Sequence, residues 1–319
     1  MADLRPVDTT NESEAVRAAV GKSRKLAARV PRLILEARRV AATLLHGLHG
    51  RRRAGQGENF WQYRRFVSGE PAHQIDWRRS ARDDHLYVRE REWEASHTIW
   101  IWADRSPSMD FNSHLTEWSK LDRALVVSFA MADVLVEGGE RVGIPGLMRP
   151  TANRNIIEKM AQVIVHDVHE RPSLPPNFSP APFSEVLLFS DLWSPIADFR
   201  HIIGQLAANG ARGHVVQVVD PAEESFPFKG RVEFIESEGL GSITAGRAET
   251  WRDDYQKLLA SHRAALRAEC EAFGWSFTIH RTDRGPTELL SAIHARMGAG
   301  AHAVTQSRQP ARTGMDVRA

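Results

Sequence analysis

"TIWIWADRSPSMDF", residues 98–111, runs four large apolar side chains and an alanine into Asp104, then spaces Ser106 and Ser108 around Pro107. A short run that is apolar at consecutive positions suits a strand buried on both faces, as in a parallel sheet covered by helices. The residues just after it fall at the carboxyl edge of that sheet, where open α/β sheets place their ligand sites.

The same rhythm continues outward. "HTIWIWAD" leads to the helical pattern "KLDRALVVSFAMADVLVEG", the strand "ERVGIPGL" and the helix "RNIIEKMAQVIVHDV". After the proline-rich "RPSLPPNFSPAPF" come strand "EVLLFSD", helix "DFRHIIGQLAANG", strand "GHVVQVVDP", a helix over about 253–273, strand "WSFTIHRTD" and helix "TELLSAIHARMG". Apolar strands alternating with amphipathic helices predict an α/β fold with a doubly wound, mainly parallel sheet over 96–298. The segment at about 222–250 breaks the alternation and reads as a small β insertion. Residues 299–319 have the composition of a disordered tail.

Ahead of this domain, residues 1–50 read as a helical arm. Pro31 is expected to divide it into two helices, and the second carries Leu33, Leu44, Leu45 and Leu48 on one side. The domain, a partner or a membrane surface must cover that stripe, and the reading favours a partner, with removal of residues 1–50 leaving a folded core. His46 and His49 lie one turn apart without a third metal ligand nearby. Residues 51–95 form a linking segment rich in arginine and aromatic residues, expected to pack on the main domain. Within it, Trp61, Tyr63 and Phe66 have partly helical spacing, and a short helix is expected to bury Ile75 and Trp77, with Asp76 paired to an arginine.

Composition narrows the function. The 319 residues are 42% hydrophobic and 26% charged with a formal net charge of +2, and the arginine clusters at 51–53, 64–65 and 78–79 are threaded with carboxylates. Intramolecular ion pairs are therefore the better reading, and nucleic-acid binding through the basic N-terminal half is an alternative. Cys270, the single cysteine, sits in a helical pattern as a small apolar filler. No apolar stretch is long enough to span a bilayer, which predicts a cytoplasmic protein.

At the sheet edge, Asp104 closes the first strand of the domain and Asp191, in "LLFSDLW", closes the strand that begins its second half. In a doubly wound sheet those strands are neighbours, so the two carboxylates and the hydroxyls of Ser106 and Ser108 converge. Such an all-oxygen set suits Mg²⁺ rather than zinc. The alternative is that Asp104 caps the next turn and the serines satisfy backbone groups, with no metal.

The DxSxS stretch resembles the metal-ion-dependent adhesion site of von Willebrand factor type A domains. The resemblance carries over to Asp104, Ser106, Ser108 and Asp191, and it implies a threonine from a later loop, for which Thr151 in "MRPTANRN" lies in the right interval. A second resemblance covers nearly the whole chain: "FWQYRRFVSGEPAHQIDWRRSARDDHLYVREREWE", "VVQVVDPAEESFPFKGRVEF" and "HRTDRGPTELL" are similar to successive stretches of the domain of unknown function 58 family. It implies an adaptor working with a MoxR-type AAA+ ATPase. The combined expectation is a non-enzymatic binding protein in which Ser106 and Ser108 ligate Mg²⁺, Asp104 and Asp191 act through waters, and the open position accepts a partner's acidic side chain. A metal-dependent hydrolase using the same crevice is the runner-up, although no His, Glu or Lys is placed by the sequence beside these aspartates.

Overall fold

The computed structural model describes residues 9–49, 60–67, 70–91, 97–167, 172–237 and 241–307. The chain folds as two compact units, Met1–His46 with His97–Ala319, and Gly47–Ser96. In chain order the elements are α1 (Thr9–His49), β1 (Phe60–Arg65), α2 (Trp77–Ser80), β2 (Tyr87–Arg91), β3 (Thr98–Ala103), α3 (Lys120–Glu137), β4 (Arg141–Ile144), β5 (Met148–Thr151) and α4 (Ile156–His166). They continue with β6 (Glu185–Ser190), α5 (Ile196–Ala208), β7 (Arg212–Val219), α6 (Pro221–Ser225), β8 (Val232–Ile235), β9 (Ser242–Ala245), α7 (Arg252–Ala272), β10 (Ser276–Arg281) and α8 (Thr287–Ser307).

The larger unit is built on a six-stranded sheet in the order β10-β7-β6-β3-β4-β5, parallel throughout except for β5. β3 and β6 are neighbours, so the strand order runs outward in both directions from the pair that ends in Asp104 and Asp191. Every residue of β6 is buried, as the apolar run 186–189 between Glu185 and Ser190 requires when both faces are covered. On one face, Trp102, Val186, Leu188 and Val215 pack against Phe199, Ile203 and Leu206 of α5 and Leu266 and Cys270 of α7, positions three, four or seven apart that share a helix side. Alternation along the strands turns Ile101, Leu187 and Phe189 to the opposite face. There α3, buried almost from end to end, packs on β3, β4, β6 and β7. Cys270 fills the core as expected, and burial pushes its thiol up to about 12, which leaves it inert.

Several expectations change. "ERVGIPGL" is a strand and a turn: Gly146, at φ 73, lets the chain reverse, and β5 returns antiparallel to β4 at the sheet edge. α1 is one helix with Pro31 inside it. Pro31 and Ala27, whose carbonyl loses its helical partner, both face solvent, so water can satisfy that carbonyl. Nor does the arm hold its apolar stripe free. Leu26, Leu33, Ala37, Val40, Ala41 and Leu44 are buried, Arg29 Nη1 lies 2.9 Å from Asp122 Oδ1 of α3, and Ser23 and Arg38 bond to Val165 and Glu158 at α4. α1 therefore covers this unit's own core; a fully buried leucine contributes on the order of 2 kcal/mol. α8 continues past residue 299 to Ser307, where a tail was expected; residues 308–319, like Gly50 and residues 51–59, lie outside the described set.

The smaller unit is a β1–β2 antiparallel hairpin with α2. The stretch with partly helical spacing is thus a strand. Ile75 is buried and bridges to Val88, but Trp77 is 62% exposed, contrary to expectation. Asp76 caps α2 by accepting from Arg79 N, which makes Trp77 the first helical residue and turns Ser80, not Trp77, inward. Arg64 pairs with Glu70 at 2.7 Å, as charge threading predicted, whereas Arg79 meets Asp76 through its backbone N–H and lays its guanidinium against the Tyr87 ring at 4.8 Å.

Burial holds His280 of β10 down to about 4, and the nearby Arg123 charge acts in the same direction. Between the ordinary value of about 6.5 and this one, the unfolded chain takes up a proton that the fold refuses, so stability is full above pH 6.5 and falls as pH drops toward 4, by roughly 3 kcal/mol. Urea midpoints at neutral and acid pH should therefore fall less steeply for His280→Leu than for the parent, the comparison removing every other group's contribution. Parallel pH profiles would refute the assignment.

Candidate functional site

Where β3 and β6 end, the chain builds a cluster around the DxSxS loop. Asp104 is fully buried; its Oδ1 accepts from Ser106 N at 2.8 Å and its Oδ2 from the Ser190 hydroxyl at 2.6 Å. Burial pushes its carboxyl up to about 7, opposed by those hydrogen bonds and aided by the charge of Asp191. Ser106 Oγ and Ser108 Oγ face each other at 3.1 Å. Asp191 lies at the end of the neighbouring strand, and its backbone carbonyl accepts from Gln217, itself buried in β7 and held by Arg263. The turn that follows puts Leu192 at φ 59, with its N–H donating to Ser190 Oγ and its carbonyl bonded to His262. A non-glycine residue in that region needs such over-determination.

Two further residues complete the cluster, and neither was expected. Lys120, 2% exposed, extends its ammonium to Asp191 Oδ2 at 2.8 Å and to Glu223 Oε1 at 2.7 Å. Glu223 is fixed by its position in α6: Asp220 caps that helix, and the Glu223 carboxylate accepts from Asp220 N at 2.8 Å to close a capping box. Burial alone would lower the pKa of Lys120, but the Glu223 and Asp191 carboxylates hold it above the ordinary value, so the ammonium stays charged. Lys120 is also the first residue of α3, at the positive end of the helix dipole, which disfavours a cation; the two carboxylates offset that.

Above the cluster opens a cleft of about 640 Å³. The hairpin β8–β9, the expected β insertion, supplies one wall with Phe234 and Ile243; Phe226, Phe228 and Tyr255 continue it, and Trp193 stands opposite, stacked on His262. Ser108, Lys120, Asp191 and Glu223 reach its lining.

The structure thus brings Asp104, Ser106, Ser108 and Asp191 together at one sheet edge. Thr151 it places elsewhere. Thr151 pairs with Val142, which is level with Ile99 near the start of β3, so it lies at the opposite end of the strands from Asp104, roughly 16 Å along their direction. The hydroxyl that this interval does bring to the cleft is Ser173, bonded to Ser194 at 2.9 Å. Glu223 left a trace in the sequence, the D-P-x-E spacing of a capping box after a buried strand; Lys120, which opens a helix that also carries Asp122, Arg123 and Asp133, left none.

The donor set does not fit a divalent cation. Both oxygens of Asp104 and both serine hydroxyls have protein partners, and the Lys120 ammonium sits against Asp191. A dication about 4 Å from that ammonium would be repelled by about 8 kcal/mol at an effective dielectric of about 20. Among the described residues, no three His, Cys, Asp or Glu side chains are grouped so as to hold a metal.

Fold and site define a class: a mixed α/β protein whose mostly parallel six-stranded sheet carries a buried, ion-paired cluster beneath an aromatic cleft. The chain belongs to the family described as "Protein of unknown function DUF58", whose model matches residues 62–265. Relatives include uncharacterized proteins of Mycobacterium bovis and Mycobacterium tuberculosis, each 25% identical over 285 residues, covering 82% of this chain and 86% of theirs. Among solved structures, this chain is similar to the conserved hypothetical protein BatB from Bacteroides thetaiotaomicron, with a TM-score of 0.36 and 14% identity. It is also similar to an aerotolerance-related membrane protein from Bacteroides fragilis, with a TM-score of 0.35 and 15% identity. Each covers 64% of this chain and all of the other. No helix among the described residues is long and apolar enough to cross a membrane.

Proposed function

We propose that this protein is a non-enzymatic binding module that seats a segment of a protein partner in the cleft at the carboxyl edge of its sheet. The observation that carries this reading is the cleft itself: about 640 Å³ walled by aromatic rings, over a floor whose charged groups are already paired with one another. Aromatic walls suit an apolar anchor, and central aromatic residues tend to dominate binding energy. A von Willebrand factor A-like fold is part of the same reading, supported by the strand order with its antiparallel edge and by the DxSxS loop beyond the first sheet strand. The resemblance to the domain of unknown function 58 family supplies the expected partner, a MoxR-type AAA+ ATPase, and the cytoplasm as the expected location.

The hydrolase alternative draws no support from the cleft. Its lining contains serines but no histidine or cysteine among the described residues; His262, behind Trp193, is bonded to a backbone carbonyl, and Lys120, Asp191 and Glu223 on the lining are bonded to one another. Two arginines of the hairpin unit, Arg64 and Arg79, are engaged with Glu70 and with tyrosine rings, which weighs against nucleic acid at those positions.

Immobilised full-length protein should enrich an AAA+ ATPase from native extract. Phe228→Asp, which puts a charge on the cleft wall away from the buried cluster, should cut that enrichment at least tenfold, the equivalent of about 1.4 kcal/mol. Equal enrichment by parent and variant would sink the assignment of the cleft.

A further inference from the structure

We propose that the ammonium of Lys120 is the resident cation of this site, and that the cleft therefore takes up its partner without a divalent metal. The second half rests on the reading of the cleft as a partner site; the first stands on geometry alone. Three observations carry it. The DxSxS loop is assembled, with Ser106 and Ser108 converging beside Asp104, so the place where a cation belongs is built. Positive charge already stands beside it, because the Lys120 ammonium, which lines the same cleft as Ser108, lies within hydrogen-bond distance of both Asp191 and Glu223 and is itself buried. Finally, the loop's polar groups are already tied to protein partners: both Asp104 oxygens accept, from Ser106 N–H and the Ser190 hydroxyl, and Ser106 and Ser108 share one hydrogen bond between their hydroxyls.

The substitution changes what the site can receive. A divalent ion leaves an open coordination position of high positive charge, which attracts a carboxylate. Lys120 with Asp191 and Glu223 sums instead to one negative charge, and Glu236 on the cleft lining adds another. A carboxylate is then repelled, and the ammonium is matched to an uncharged acceptor such as a backbone carbonyl.

Full-length protein titrated with MgCl₂ and with MnCl₂ in a calorimeter should give no binding heat at millimolar metal, and its melting temperature should be the same in chelator as in Mg²⁺. Lys120→Met, which frees both carboxylates, should acquire an upward melting shift with Mg²⁺ that the parent lacks. Saturable Mg²⁺ or Mn²⁺ binding by the parent chain, or a fall in its melting temperature on chelation, overturns the proposal whether or not the variant folds. These arms need no partner, so their failure is distinct from failure of the cleft reading, which the Phe228→Asp capture experiment tests.

Discussion

Exchange of Lys120 for methionine is expected to destabilise the fold by about 3 to 5 kcal/mol, the cost of leaving buried charges without their partner. Methionine matches the lysine stem in volume, so packing is kept and the change isolates the charge. The ammonium is 2.8 Å from Asp191 and 2.7 Å from Glu223, and without it two carboxylates share a buried site. Neutralising those carboxylates as well, with Asp191→Asn and Glu223→Gln in the same chain, should recover most of the loss, because an ion cluster replaced by neutral groups of similar shape is often near neutral in stability. Denaturant midpoints of the single and triple variants read the difference. A single variant within about 1 kcal/mol of the parent would mean that the ammonium is solvated rather than buried in its ion pairs.

That Lys120 had to be found in the structure follows from what a sequence encodes locally. The sheet was legible because its signal is periodic: consecutive apolar residues in "TIWIWA" and "EVLLFS" leave a both-sides-buried strand as the economical reading, and the carboxylates just after them then fall at one edge. The neighbouring of β3 and β6, which brings Asp104 toward Asp191, follows from that same topology. The charge of the site obeys no period. Lys120 meets Asp191 and Glu223 across 71 and 103 residues, and nothing within α3 distinguishes a buried lysine from an exposed one. Trp77 shows the converse error. Its bulk argued for burial, but Asp76 as helix cap fixed the phase of a single turn and aimed the indole outward. Thr151 failed for a third reason: Gly146 reverses the chain one strand earlier than the apolar pattern suggests, which sends residue 151 to the wrong end of the sheet.

Gly213→Ala provides the largest test of the packing on the other side of β7. Propensity alone favours alanine, since glycine inside a strand weakens it, by roughly 0.5 to 1 kcal/mol on entropic grounds. The surroundings reverse the sign. A Cβ on Gly213 would lie 1.9 Å from Trp275 Cε3 and 2.0 Å from Cδ2, so the indole lies flat on the glycine. Trp275 is 3% exposed and packed in the cluster with Leu206, Leu266 and Cys270, so the ring has nowhere to withdraw without pushing α5 or α7 off the sheet. The expected cost is about 3 kcal/mol, at the upper end of ordinary overpacking, and a melting temperature lower by roughly 6 to 12 °C. Trp275→Leu alone should also destabilise, by opening a cavity, but in the double variant the new methyl group enters the space that the ring has left. The double variant should therefore be clearly more stable than the sum of the two losses predicts, a coupling of 1 kcal/mol or more being within the range for directly contacting residues, on the order of 0.5 to 3 kcal/mol. Additive losses, or a Gly213→Ala variant more stable than the parent, would show that the indole does not rest on β7 and that strand propensity governs this position.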